Sequence, residues 1–156
     1  MDVLYSLFGV DNQRLHMIVK EKTFTNTLTF VLTTITGNIL SIADSITDRF
    51  CTNILPNIDY NIKSLILESQ SMERILLAAN YPNLTELKLY NVNDHVISRH
   101  FTAFTTWSSL NLTKLCVDVF CFDDCFALLD GRLKQLNTFI VRIYYINDEL
   151  SSVYNM

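Results

Sequence analysis

A six-residue pattern of apolar and polar positions, which we call the repeat motif, recurs four times along the chain. Its first, fourth and sixth positions are apolar in every copy, while the second, third and fifth positions vary. The four copies are residues 62–67, 84–89, 112–117 and 136–141. Their starts advance from 62 to 84, 112 and 136, that is by 22, 28 and 24 residues. These separations match the roughly 20 to 29 residues of a strand-plus-helix repeat.

Each copy of the repeat motif predicts a short β-strand. The apolar fourth and sixth positions alternate with the third and fifth, and a period of two is typical of a strand with one buried face. Residues 28–32 alternate in the same way and predict a weaker fifth strand ahead of the other four.

The segments between the motif copies have the period of helices. In residues 71–79 the apolar residues Met72, Ile75, Leu76 and Ala79 occupy positions i, i+3, i+4 and i+7. This spacing predicts a helix with one apolar face.

A second helix is predicted over residues 39–55, where the apolar residues keep the same rhythm. Pro56 should end this helix, because proline has no amide hydrogen to donate to the preceding turn. Two shorter helices are predicted over residues 93–101 and 123–133, each opened by an Asn or Asp that can serve as N-cap.

Alternation of strands and helices at this period favours a parallel sheet. Parallel neighbours need a crossover connection, which a helix provides, whereas antiparallel neighbours need only a short turn. Each unit must stack on the next to bury its apolar positions. The sequence therefore predicts an α/β fold, a short solenoid of parallel strands and helices.

The third and fifth positions of each motif copy should point away from the core, because side chains alternate between the two faces of a strand. The same holds for the residue that directly follows each copy, which we call the seventh position. We call the surface that they form the open face. Its twelve members are Ser64, Ile66, Glu68, Glu86, Lys88, Tyr90, Lys114, Cys116, Asp118, Thr138, Ile140 and Arg142.

Repeat proteins bind partners through extended surfaces built from successive units, so the open face is the candidate site. The candidate partner-binding residues are Ile66, Glu68, Glu86, Lys88, Tyr90, Lys114, Asp118, Ile140 and Arg142. The alternative interpretation is that Glu86 and Lys114, neighbours on adjacent strands, form only a solvated ion pair of small energetic value.

The composition fits one folded domain. The 156 residues are 49% apolar and 18% charged, and 12 Lys plus Arg against 16 Asp plus Glu give a formal net charge of −4. This much apolar content excludes a disordered chain, and the charge excludes a strongly basic nucleic-acid binder. The three glycines stand far apart, which excludes a glycine-rich phosphate loop.

The sequence contains no recognisable spacing of catalytic or metal-binding residues. His95 and His100 are five residues apart, a spacing that does not put them together on a helix, and His16 is remote. Cys121 and Cys125 have no nearby histidine. We expect no enzymatic activity, no metal and no cofactor.

The ends and the cysteines bear on localisation. The first residues lack the basic start and cleavage site of a secretory signal, and the apolar runs fall short of the roughly 18 residues of a membrane span. The four sparse cysteines fit free thiols in a reducing compartment. We expect a cytoplasmic or nuclear protein, neither secreted nor membrane-bound. Asn83 and Asn111 open N-x-T sequons, which without export are coincidental.

The motif copies resemble leucine-rich repeats. The segment PNLTELKLYNV at residues 82–92 matches their L-x-x-L-x-L core, and the four copies together cover roughly residues 60–145. Many such repeats carry an Asn or Cys three residues beyond the last position of this core. That position is occupied here by Gln70, Val92, Phe120 and Tyr144, so the resemblance is to an irregular variety.

The opening, VLYSLFGVDNQRLHMIVKEKTF at residues 3–24, resembles the second half of an F-box. The L-P-x-E-I-L-x-x-I-F segment that forms the first half is missing from this sequence. The remaining half should pack as a helical cap on the first repeat. The resemblance implies binding to a Skp-type adaptor, and the residues that match the apolar contact positions are Leu4, Leu7, Phe8, Val10 and Leu15.

Together the two resemblances imply a partial F-box-like helical segment at residues 1–25 and a leucine-rich-repeat-like solenoid at residues 26–156. F-box proteins with such repeats are substrate-binding subunits of cullin (SCF-type) ubiquitin ligases. The expected function is protein recognition, with a protein substrate and a Skp-type adaptor as partners. The alternative is a non-enzymatic repeat scaffold, or a truncated gene product, without adaptor binding.

Overall fold

A computed structural model of the chain describes residues 25–92, 111–120 and 135–144. Its strands, in chain order, are β1 (Thr27–Thr29), β2 (Val31–Thr33), β3 (Ile39–Ser41), β4 (Ser64–Glu68), β5 (Glu86–Val92), β6 (Lys114–Val119) and β7 (Thr138–Ile143). Its helical elements are α1 (Asp44–Arg49), a π-helical turn (Phe50–Ile54), α2 (Leu55–Ile58), a 3₁₀ turn (Asp59–Asn61) and α3 (Ser69–Leu77).

A five-stranded parallel sheet organises these elements. Its order is β1-β4-β5-β6-β7, so that the four motif copies lie side by side in chain order, with β1 at the edge beside the first copy. The four copies of the repeat motif align without offset: Leu65 pairs with Leu87, Leu87 with Leu115 and Leu115 with Phe139. The predicted α/β fold with a parallel sheet is confirmed.

The apolar positions of the motif form the core between the sheet and its helices. In the first three copies all of them are at most 2% exposed: Ile62, Leu65, Leu67, Leu84, Leu87, Leu89, Leu112, Leu115 and Val117. Those of the fourth copy are partly buried against the same core: Leu136, Phe139 and Val141. Burial therefore decreases toward β7.

A repeated hydrogen bond fixes the register at the start of each strand. One backbone carbonyl accepts the amide hydrogens of two successive residues on the next strand, with N···O distances of 2.8–3.0 Å. The carbonyls that accept in this way are those of Asn26, Lys63, Thr85 and Thr113. The same contact at four strand junctions makes successive copies structurally equivalent.

Two asparagine side chains reinforce these junctions. Asn83 Nδ2 donates to the Tyr60 carbonyl, and Asn111 Nδ2 donates to the Pro82 carbonyl, each at 2.6 Å. Both asparagines directly precede a motif copy, and both carbonyls lie two residues before the preceding copy. The sequon asparagines therefore tie neighbouring units together.

The predicted strand at residues 28–32 is divided between two sheets. β1 pairs with β4, and the chain then leaves the parallel sheet just after Phe30, whose amide donates to the Ile66 carbonyl at 2.7 Å. β2 and β3 instead form an antiparallel hairpin, which turns at Gly37 with φ +85°. The helix predicted from residue 39 was wrong at its start, because residues 39–41 form β3.

The hairpin carries exposed apolar side chains. Leu32 and Leu40 face each other across its strands at 54% and 50% exposure, and Ile35 is fully exposed at its turn. Residues 23–43 contain no charged side chain.

Pro56 does not end the helical stretch, contrary to the prediction. In the π-helical turn the Leu55 amide donates to the Phe50 carbonyl, five residues back. Pro56 then lies in the first turn of α2, a position at which proline is common. The wider turn lets the chain pass a proline without losing its helical path.

The helix predicted over residues 71–79 is confirmed as α3, displaced by two residues. It buries the predicted Met72, Ile75 and Leu76. Tyr81 follows with a left-handed backbone (φ 46°), is fully buried and donates its hydroxyl hydrogen to the Ile75 carbonyl. Burial raises the pKa of Tyr81. Tyr81 thus anchors the turn that returns the chain from α3 to β5.

An arginine joins the first helix to the third. Arg74 on α3 contacts Asp44 Oδ1 at 2.6 Å and Asp48 Oδ1 at 2.8 Å on α1. The hydrogen bond with Asp44 raises the pKa of Arg74. The carboxylates are well exposed, so the contribution of each pair to stability is small.

Several predicted elements lie outside the described residues. These are the F-box-like segment up to residue 24, the helix at 93–101 and the helix at 123–133. No helix among the described residues is long and apolar enough to cross a membrane.

Replacement of Leu87 by Ala should lower the free energy of unfolding by about 2–5 kcal/mol, because it removes a fully buried side chain from the central strand β5. The matched control is Leu77→Ala, since Leu77 is 56% exposed on α3. Urea unfolding followed by circular dichroism measures both. Equal stabilities for the two variants would contradict the register of the sheet.

Candidate binding face

The open face is built by β4, β5, β6 and β7. Because the strands pair without offset from the third to the sixth motif position, equivalent positions form rows across the sheet. The middle row contains Ile66, Lys88, Cys116 and Ile140. Ile140 is 51% exposed, and the other three are half-buried. The structure therefore brings these four side chains together as the sequence predicts.

The first row contains an ion pair. Lys114 Nζ lies 2.7 Å from Glu86 Oε1, with the two side chains 43% and 36% exposed. The hydrogen bond with Glu86 raises the pKa of Lys114. Solvent screens a pair with this exposure, so its main effect is to neutralise two charges of the face.

Lys88 lies over the ring of Tyr90. Its Nζ is 4.8 Å from the ring centroid, within the range of a cation–π contact. The described residues place no carboxylate within ion-pair distance of Lys88. The ring therefore orients the ammonium group without cancelling its charge.

The seventh motif positions form no continuous row, because the β5–β6 pairing shifts after Leu89. On β6 and β7 they are organised around Asp118. Its carboxylate Oδ2 lies 3.2 Å from Arg142 and accepts a hydrogen bond of 3.0 Å from the Tyr144 hydroxyl. The Asp118 side chain is only 7% exposed, while Arg142 is 64% exposed. A hydrogen bond with Tyr144 and the charge of Asp118 raise the pKa of Arg142. The largely buried carboxylate of Asp118 thus fixes the positions of the exposed Arg142 and Tyr144 side chains.

Glu68 does not belong to the exposed surface, contrary to the prediction. It is 2% exposed, and its carboxylate accepts the amide hydrogens of Gln70 and Ser71 at 3.0 and 2.9 Å. The physical reason is that α3 follows β4 without a loop, so the last residue of the strand is also the N-cap of the helix. Ser64, at the other end of β4, is also buried.

A bulge in β5 was not predicted. The pairing with β6 shifts between Leu89 and Val92, and Asn91 adopts a left-handed backbone with φ 56°. Asn tolerates this conformation better than most residues. The extra residue returns Val92 to the core, where it is 2% exposed. The signal in the sequence was the Asn-Val pair that directly follows Tyr90.

Two aromatic residues of the site were also missed. Phe120 is 59% exposed at the end of β6, and Tyr144 is 57% exposed at the end of β7. Both lie one alternation beyond the seventh motif position, which was taken as the limit of the face.

The described residues offer little for metal or nucleophilic chemistry. They contain no group of three or more metal-ligating side chains. Cys51 and Cys116 are free thiols, and burial raises the pKa of Cys51, whose Sγ donates to the Arg74 carbonyl. The three histidines, Cys121 and Cys125 lie outside the described residues. So do the candidate adaptor-binding residues Leu4, Leu7, Phe8, Val10 and Leu15.

Replacement of Glu68 by Ala should cost about 1 kcal/mol of stability, because two amide hydrogens at the start of α3 lose their acceptor. Glu68→Gln keeps one acceptor oxygen and should lose less. Urea unfolding of the two variants beside the unaltered chain measures the difference. Full stability of Glu68→Ala would mean that this side chain is free to serve the open face.

Comparison with known proteins identifies no relative of this chain. The chain matches no protein-family model, no curated protein and no solved structure. The leucine-rich-repeat-like motif and the F-box-like opening are therefore resemblances that the residues of this chain alone carry.

Proposed function

We propose that the chain is a protein-recognition module that binds a partner through its open face. The observation that carries the proposal is the middle row of Ile66, Lys88, Cys116 and Ile140, which four strands hold in register. Paired backbones keep these side chains at fixed spacing, so a partner would meet a preorganised surface.

The chemistry of the face suits a protein partner. Ile140 and Tyr144 offer exposed apolar and aromatic area beside the cation Arg142, and Lys88 lies two strands away on the same face. Aromatic and arginine side chains of this kind supply most of the binding energy at protein interfaces.

The proposal extends to a leucine-rich-repeat-like solenoid. Its support is the carbonyl that accepts two amide hydrogens at each of four strand junctions, together with the asparagine contacts of Asn83 and Asn111. Such nearest-neighbour contacts are the basis on which solenoid units stack.

By resemblance, the partner bound by the open face would be the substrate of a cullin ubiquitin ligase. The F-box-like opening would then bind a Skp-type adaptor through Leu4, Leu7, Phe8, Val10 and Leu15.

Adaptor binding can be measured by titrating the full chain with the Skp-type adaptor of its own organism, after circular dichroism has shown that the chain is folded. Saturable binding in the micromolar range or tighter is expected. Leu7→Asp should abolish it, because a charge would enter the apolar contact. Ile140→Asp, on the open face, is the matched control and should leave it unchanged. A folded chain without binding would favour a repeat scaffold with no ligase role.

Recognition by the open face can be tested separately with a random-peptide display library. Peptides selected on the unaltered chain should bind Tyr90→Ala at least fivefold more weakly, because this variant removes an aromatic contact and the orientation of Lys88. The control is Tyr60→Ala, since Tyr60 is 50% exposed on the 3₁₀ turn, outside the face. Peptides that bind both variants equally would remove the open face from the proposal.

A further inference from the structure

We propose that the open face takes an extended peptide segment with the pattern apolar-x-acidic-x-apolar, crossing the strands nearly at right angles. This inference rests on the proposed function and specifies the chemistry of the partner. Its anchors are the two isoleucines at the ends of the middle row and Lys88 between them.

The spacing of the row sets the spacing of the segment. Ile66 lies on β4 and Ile140 on β7, three strand separations apart. At about 4.8 Å for each separation this is roughly 14 Å. An extended peptide advances about 3.3–3.4 Å for each residue, so residues i and i+4 point to one side roughly 13–14 Å apart. Apolar residues at these two positions can therefore rest on the two isoleucines.

The residue between them, at i+2, then lies over the centre of the row. Lys88 and Cys116 occupy this centre. Because side chains of an extended segment alternate, residue i+2 points to the same side as i and i+4. Its side chain is within reach of the Lys88 ammonium group, which Tyr90 holds at 4.8 Å from its ring.

Charge selects an acid at this middle position. Glu86 neutralises Lys114, and Asp118 neutralises Arg142. Among the described residues no carboxylate pairs with Lys88, which lies in the centre of a surface with apolar ends, although the whole chain carries a formal charge of −4. A carboxylate at i+2 compensates this charge, whereas a lysine there would meet repulsion.

The cation–π contact strengthens the selection. The ring of Tyr90 restricts the positions of the long Lys88 side chain before any partner arrives. Less conformational entropy is then lost when an ion pair forms with the partner.

The test uses synthetic peptides with a leucine-serine-aspartate-serine-leucine core, flanked by serines and labelled for fluorescence anisotropy. Matched peptides carry asparagine or lysine in place of the aspartate. On the unaltered chain the asparagine peptide should bind about fivefold more weakly than the aspartate peptide, the upper range for one exposed ion pair. Added salt should weaken the aspartate peptide more than the asparagine peptide.

The Lys88→Met variant should bind the aspartate and asparagine peptides with less than a twofold difference. Lys63→Met is the matched control, because Lys63 is an exposed lysine outside the open face. It should keep the fivefold difference. Circular dichroism and thermal unfolding check that both variants are folded.

The outcomes separate this inference from the proposed function. If the aspartate and asparagine peptides bind equally well and neither binds Ile140→Asp, recognition by the open face stands. The preference for an acid is then overturned. A fivefold preference that persists in Lys88→Met would overturn the role of Lys88. Absence of binding for every peptide, including those selected from the display library, would overturn both proposals.

Discussion

The zero offset between neighbouring strands is the constraint on which the rest of the structure depends. Side chains alternate along a strand, so a slip by one residue would move every apolar anchor out of the core and every polar position into it. Leu65, Leu87, Leu115 and Phe139 stand side by side across the sheet and resist such a slip together. The shared carbonyl at each junction holds the same register from the backbone side.

The same register also aligns the outward side chains of four strands into the open face. Once the anchors are aligned, residues that are 22 to 28 positions apart in the sequence become lateral neighbours. Glu86 meets Lys114, and Asp118 meets Arg142, without any further arrangement. The pattern of compensated and uncompensated charges on the open face is therefore a direct product of the register.

The sheet and its register could be predicted from the sequence because both depend on a repeated apolar pattern. The same pattern gave α3, whose Met72, Ile75 and Leu76 are buried. The hairpin of β2 and β3 could not be predicted in this way, since Ile39 and Ile42 are three residues apart and so fit a helical period, although Ile39 belongs to β3. The prediction that Pro56 ends the helix failed because the effect of this proline depends on the π-helical turn before it. Such a turn has no simple sequence signature.

The candidate site was predicted less completely than the fold. Motif position alone cannot distinguish Glu68 from Tyr90, although one caps a helix and the other lies on the surface. The difference arises where the strand ends: β4 leads directly into α3, while β5 continues through a bulge at Asn91. The way in which each strand ends therefore decides which polar side chains remain available for binding. The regular apolar pattern of the motif does not encode how a strand ends.

The agreement between sheet order and chain order has a consequence for the length of the connections. Connections between neighbouring strands can change length while the strands keep their partners. By the dependence of loop closure on length, the change from 22 to 28 residues between copies costs only about 0.2 kcal/mol. Loop closure therefore places little constraint on the length of a connection, although in the β4–β5 connection the buried residues Met72, Ile75 and Tyr81 do constrain it. The spacing between motif copies can therefore vary while the strands still present the same row of side chains.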